Sequence, residues 1–135
     1  MHRLLTGLRR SEEEYVKDAG LTLDFDEIAK KGAMSPEETL IAKWYGIYST
    51  RHPGNFMARI VVPGGVLTAT QARVIADVAE AHAHGHVTLT TRQAVQLHWL
   101  KLRNLPDVLR ALGLGGLSTF HGCGDVTRNV TACPL

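Results

Sequence analysis

The chain has 135 residues, 44% of them apolar and 21% charged, which suits one ordinary domain or a small domain with an extension. A formal charge of +2 is too small for a general polyanion binder, so basic chemistry must come from particular arginines. Leu4 to Leu8 is too short for a secretory apolar region, no stretch approaches a membrane span, and Cys123 and Cys133 read as reduced thiols. The expectation is a cytoplasmic protein with no nucleic-acid or membrane partner.

Residues 1–50 read as a helical N-terminal extension. Ser11-Glu12-Glu13-Glu14 and Ser35-Pro36-Glu37-Glu38 both match a capping box, and Pro36 stands at the first helical position, where its missing N–H costs nothing. Leu40, Ile41 and Trp44 then share one helical face. Between these helices, Leu21 to Asp26 alternates weakly and reads as extended.

A compact α+β unit is expected over 51–121. Phe56 to Val62 is a strand by composition, stopped by Pro63-Gly64-Gly65. Thr68-Ala69-Thr70-Gln71 opens a helix whose apolar stripe is Val74, Ile75, Val78 and Ala79, and which runs out near Gly85. Val87 to Thr90 and Ala94 to Leu102 are two further strands around Thr91-Arg92-Gln93. Asn104 then caps a helix from Pro106 to Leu112. The order β-α-β-β-α resembles a ferredoxin-like arrangement without its last strand. Residues 122–135 change character: rich in glycine and polar groups, they read as a site-forming loop.

Alternation along Ala94–Leu102 places Val95, Leu97 and Trp99 on an apolar face. Arg92, Ala94, Gln96 and His98 fall on the other. That second face is either a solvated half of a strand or a wall for a polycarboxylate ligand, since the arginine fork matches carboxylate geometry. Arg59 shares a face with Met57 and Val61 and is either snorkelling or aimed into a pocket. Arg128, in the glycine-rich loop, is a solvated charge or a functional one. His82, His84 and His86 straddle a helix end without a nearby carboxylate or cysteine, so they read as a polar terminus and no metal site is assigned. An iron–sulfur cubane usually takes four thiolates, so the two cysteines cannot hold one alone.

Three stretches together resemble the siroheme-dependent sulfite and nitrite reductases. Arg59 to Gly65 is similar to that family's strand before a Pro-Gly-Gly turn. Thr90-Thr91-Arg92-Gln93-Ala94-Val95-Gln96-Leu97-His98-Trp99 is similar to its siroheme-contacting hairpin. Cys123-Gly124-Asp125-Val126-Thr127-Arg128-Asn129-Val130, with Cys133-Pro134, is similar to the opening of its catalytic domain. The likeness covers roughly Lys43 to Leu135.

The resemblance implies six-electron reduction of sulfite to sulfide or nitrite to ammonia, on siroheme coupled to a [4Fe–4S] cluster. It implies that Thr90, Arg92 and Gln96 hold siroheme carboxylates. Arg59 and Arg128 would face the substrate anion, with His98 near the pocket. It further implies an electron donor such as ferredoxin or a flavoprotein. The family's substrate-facing lysine pair and its cluster cysteines fall beyond this sequence, so they must come from a missing C-terminal half or a partner subunit. Val61 and Thr88 stand where some relatives carry a basic residue. On this reading 122–135 is the start of a truncated siroheme-binding domain. The alternative is a stand-alone, non-catalytic remnant that binds another subunit or a tetrapyrrole.

Overall fold

The computed structural model describes residues 11–20, 22–123, 129–133 and 135. Three short helices come first: α1 (Glu12–Ala19), α2 (Phe25–Lys31) and α3 (Pro36–Ala42). The capping box at α3 forms as the sequence predicts. Ser35 Oγ accepts from the Glu38 N–H at 3.1 Å, and the Glu38 carboxylate accepts from the Ser35 N–H at 2.7 Å. The Glu14 side chain of the first box lies outside the described residues. The extended reading of Leu21 to Asp26 fails at Phe25, where α2 begins; Leu21 itself lies outside the described residues. Asp24 caps that helix by accepting from the N–H groups of Asp26 and Glu27, and apolar alternation carries no record of such a cap.

The centre is a four-stranded antiparallel sheet in the order β1-β2-β4-β3. Its strands are β1 (Ile47–Ser49), β2 (Asn55–Ile60), β3 (Thr88–Leu89) and β4 (Val95–Lys101). Helix α4 (Ala69–His82) links β2 to β3, and α5 (Leu105–Leu114) follows β4, so the expected β-α-β-β-α order is present. Asn104 stands at the cap position of α5, but its side chain makes no capping hydrogen bond.

A β-α-β-β-α unit on its own leaves the outer edge of its first strand unpaired, and such edges are normally paired or covered. Here β1, from before the unit, pairs with β2 through Ile47↔Ala58. Past β1, the Val61 N–H donates to the Ser118 carbonyl at 2.8 Å. The vacant place is thus shared by a strand from upstream and by the chain returning after α5.

Alternation sorts the sheet faces. Phe56, Ala58 and Ile60 are buried against Ile75, Val78 and Ala79 of α4 and Val108 and Leu112 of α5. Full burial of each large apolar side chain here is worth roughly 1.5–3 kcal/mol. β4 departs from strict alternation. Its register passes from Ala58↔Leu97 to Phe56↔Leu100, and Trp99 takes a φ of 65°. This bulge puts Leu100, fully buried, where Trp99 was expected. Trp99 is 40% exposed and lies between the rings of His52 and His84.

On the opposite face, Val16, Ile41, Trp44 and Cys123 form a second buried cluster. The His121 N–H donates to the Trp44 carbonyl at 2.7 Å. Cys123 is therefore a packing residue that draws the segment after Ser118 back over the sheet.

Candidate functional site

The polar side of the sheet is organised by strand pairing. Arg59 of β2 lies directly opposite Gln96 of β4, and Thr88 of β3 faces Gln96 from the other edge. Directly opposed side chains on one face are close enough to bond. With its Oε1 turned to the guanidinium, Gln96 accepts from Arg59 Nε and Nη2 at 3.2 Å each, and its Nε2 donates to His98 Nε2 at 3.2 Å. This amide orientation is the one the surrounding donors and acceptors select.

Arg59 is half-buried and fixed from further directions. Its Nη1 donates to the Gly122 carbonyl at 2.8 Å, and the guanidinium lies 5.4 Å from the Tyr48 ring centroid. Gly122 has a steric reason to be glycine. A Cβ there would stand 2.7 Å from the Arg59 carbonyl oxygen and 2.9 Å from that of Thr119.

These residues border a cavity of about 190 Å³, into which the β3–β4 hairpin brings Thr90 and Arg92. The hairpin is tied by the Thr90 N–H donating to the Ala94 carbonyl at 2.9 Å. The Ala94 N–H donates in return to Thr90 Oγ1 at 3.1 Å. Thr91, Gly122 and Asn129 complete much of the wall, and no carboxylate lines it among the described residues. Two guanidinium groups, two hydroxyls and two carboxamides make a donor-rich chamber suited to carboxylate or oxyanion groups.

The cavity thus collects Arg59, Thr90, Arg92 and Gln96. His98 reaches it only through Gln96 and itself lines a separate cavity of about 200 Å³ with Thr50, His52 and Trp99. Arg128 lies outside the described residues. Thr91, Gly122 and Asn129 were missed as wall residues, although Thr91 stands in the hairpin and the other two in or beside the glycine-rich stretch that the sequence marks.

The histidine trio disperses. His82 ends α4, His84 stacks on Trp99, and His86 Nδ1 lies 2.6 Å from the His84 carbonyl. No group of three or more His, Cys, Asp or Glu side chains is placed to hold a metal among the described residues. Cys123 is buried, Cys133 is exposed, and both are free thiols.

Residues 48–114 match the family model described as the nitrite/sulfite reductase ferredoxin-like half domain. The chain belongs to the siroheme-dependent sulfite and nitrite reductase family. One relative is the assimilatory ferredoxin-dependent nitrite reductase of Haloferax mediterranei, 34% identical over 83% of this chain and 22% of its own length. Another is the sulfite reductase [NADPH] hemoprotein beta-component of Acidithiobacillus ferrooxidans, 36% identical over 75% of this chain and 20% of that one. Among solved structures, the Mycobacterium tuberculosis NirA protein superposes with a TM-score of 0.82 at 29% identity, over 93% of this chain and 28% of NirA. The chain therefore spans 20% to 28% of the length of these relatives. No helix among the described residues is long and apolar enough to cross a membrane.

Proposed function

We propose that this chain is the anion-facing and siroheme-facing N-terminal segment of a cytoplasmic sulfite or nitrite reductase. The observation that carries the reading is the single cavity shared by Arg59, Thr90, Arg92 and Gln96. Each reaches it from a different sequence stretch or strand position, and each is a donor or carries one.

The wall suits a carboxylate-rich tetrapyrrole, since forks, hydroxyls and an amide meet there without an opposing carboxylate among the described residues. Thr90, Arg92 and Gln96 would hold siroheme carboxylates. When bound, siroheme supplies an iron at which a small anion can be held while electrons arrive. Arg59 is aimed by Gln96 and the Gly122 carbonyl, so its charge meets the anion without reorganising. Arg128 would add a second cation from the loop. His98, bonded to Gln96, would steady that amide and so the guanidinium beyond it. A [4Fe–4S] cluster takes four thiolates, and this sequence has two cysteines, so its ligands would come from the rest of the reductase. We read residues 1–50 as a helical arm, 51–121 as the half-domain and 122–135 as the lead into the siroheme domain. Ferredoxin or a flavoprotein would supply the electrons.

The test is titration of the chain with siroheme, followed by its visible absorbance, for wild type and Arg92→Ala. Loss of the forked partner should weaken binding by about tenfold to a hundredfold, the size of one or more charge-assisted hydrogen bonds. Equal titration curves for the two proteins would refute the assignment of Arg92.

A further inference from the structure

Two side-chain amides, Gln93 and Asn129, make reciprocal bonds between the cavity hairpin and the last described segment. Asn129 Nδ2 donates to the carbonyls of Arg92 at 2.9 Å and Gln93 at 3.2 Å. In the other direction, Gln93 Nε2 donates to the Ala132 carbonyl at 2.7 Å, and its Oε1 accepts from the Ala132 N–H at 2.9 Å. Gln93 thereby copies the paired donor and acceptor of a neighbouring strand. The Gly64 N–H adds a third tie by donating to the Val130 carbonyl at 2.7 Å.

Three local features exist for this arrangement. Gln93 has a φ of 59°, a region that non-glycine residues avoid, and that conformation accompanies a side chain lying across the Pro-Gly-Gly turn. Gly65 has a φ of 71°, and a Cβ there would stand 3.0 to 3.2 Å from the Gln93 side chain, so the second glycine makes room for it. Asn129 is 7% exposed, and its Oδ1 has no hydrogen-bond partner among the described residues.

We propose that Gln93 and Asn129 are positioning residues: their clasp locks residues 129–132 onto the hairpin and thereby fixes Arg92 in the cavity wall. The inference rests on the siroheme-carboxylate reading of Arg92 given above. Ligand binding in the cavity and docking of residues 129–132 are then coupled, each favouring the other by the same factor. Sulfite and siroheme contacts need not involve either amide directly.

Gln93→Glu tests this, because its carboxylate repels the Ala132 carbonyl that the amide held, and that repulsion undocks residues 129–132, the Ala132 N–H with them. Hydrogen exchange at the Ala132 and Gly64 amides reports the clasp, and siroheme titration of the same chain reports the wall. At neutral pH the variant should lose protection at both amides and bind siroheme roughly tenfold more weakly, the scale of one lost hydrogen bond. Below a pH of about 4.3 the protonated carboxyl can donate again, and protection should return. A merely destabilised fold would instead lose more protection in acid. Gly65→Ala, which pushes on Gln93 without changing charge, should weaken both readouts with no recovery in acid. Wild-type siroheme affinity in a variant with unprotected Ala132 overturns the coupling alone. A wild-type chain that binds no siroheme overturns the coupling and the cavity reading together.

Discussion

Replacing Arg59 with alanine strips the cavity of the cation that the sheet, the Tyr48 ring and Gly122 hold in place. The Gly122 carbonyl loses a 2.8 Å partner, the Gln96 carboxamide loses both guanidinium bonds, and Tyr48 loses its cation. One hydrogen bond to a charged group contributes about 1.5–3 kcal/mol, and an exposed cation–π contact about 0.5–1 kcal/mol. Arg59 is only half-buried and water can replace part of this, so the expected stability loss is about 2–3 kcal/mol. The functional effect should be larger. Removing a positioned electrostatic donor costs about 2.7–4 kcal/mol at a reacting centre, roughly a hundredfold to a thousandfold in rate. Arg59→Lys keeps the charge but not the planar fork, so it should recover part of the rate while leaving Gln96 or Gly122 unpaired. The assay is steady-state reduction of sulfite and of nitrite by the complete reductase carrying each variant, with urea unfolding of this chain alongside. Arg59→Ala turnover within twofold of wild type, in a protein that loads siroheme normally, would refute the role assigned to Arg59.

Gly122→Ala should destabilise the chain by about 1–3 kcal/mol, because its Cβ would meet the Arg59 and Thr119 carbonyls; thermal unfolding measures this, and the Arg59–Gly122 tie should loosen with it. Glu38 gives a pH test. The Ser35 backbone N–H, and to a lesser degree Lys31, hold its carboxyl below the ordinary value of 4.5 despite the opposing effect of burial. A depressed carboxyl contributes stability that is present above the ordinary value and lost as pH falls through the lowered one. NMR titration should therefore show the start of α3 loosening below pH 4.5, and Glu38→Gln should flatten that acid response.

Much of this site is legible in sequence because it obeys the period of a strand. Arg59 alternates with Ala58 and Ile60, Gln96 alternates with Val95 and Leu97, and antiparallel pairing then places the two polar residues opposite each other. The capping boxes and the Pro-Gly-Gly turn are equally local. What escapes is long-range or irregular. β1 has three residues, too few to show a period, and forms because the edge of β2 needs a partner. The α2 start depends on one aspartate cap. Asn129 enters the wall through backbone carbonyls far away in sequence, which no local pattern records.

The bulge in β4 shows how one irregular residue shapes the site. In an unbroken strand Trp99 would follow Leu97 into the core, and Leu100 would turn outward. The extra residue lets Leu100 fill the core, while His98 stays on the Gln96 side and ends the polar row. The left-handed conformation of Trp99 costs roughly 1–2 kcal/mol. Stacking on His84 at 5.6 Å and contact with His52 at 5.1 Å offset part of that cost. His84 has a positive φ of its own, 55°, at the turn after α4. Sequence alternation alone places an aromatic ring in the core at this point. Packing instead uses the ring to brace the loops beside His98, and so links the end of α4 to the strand that carries Gln96.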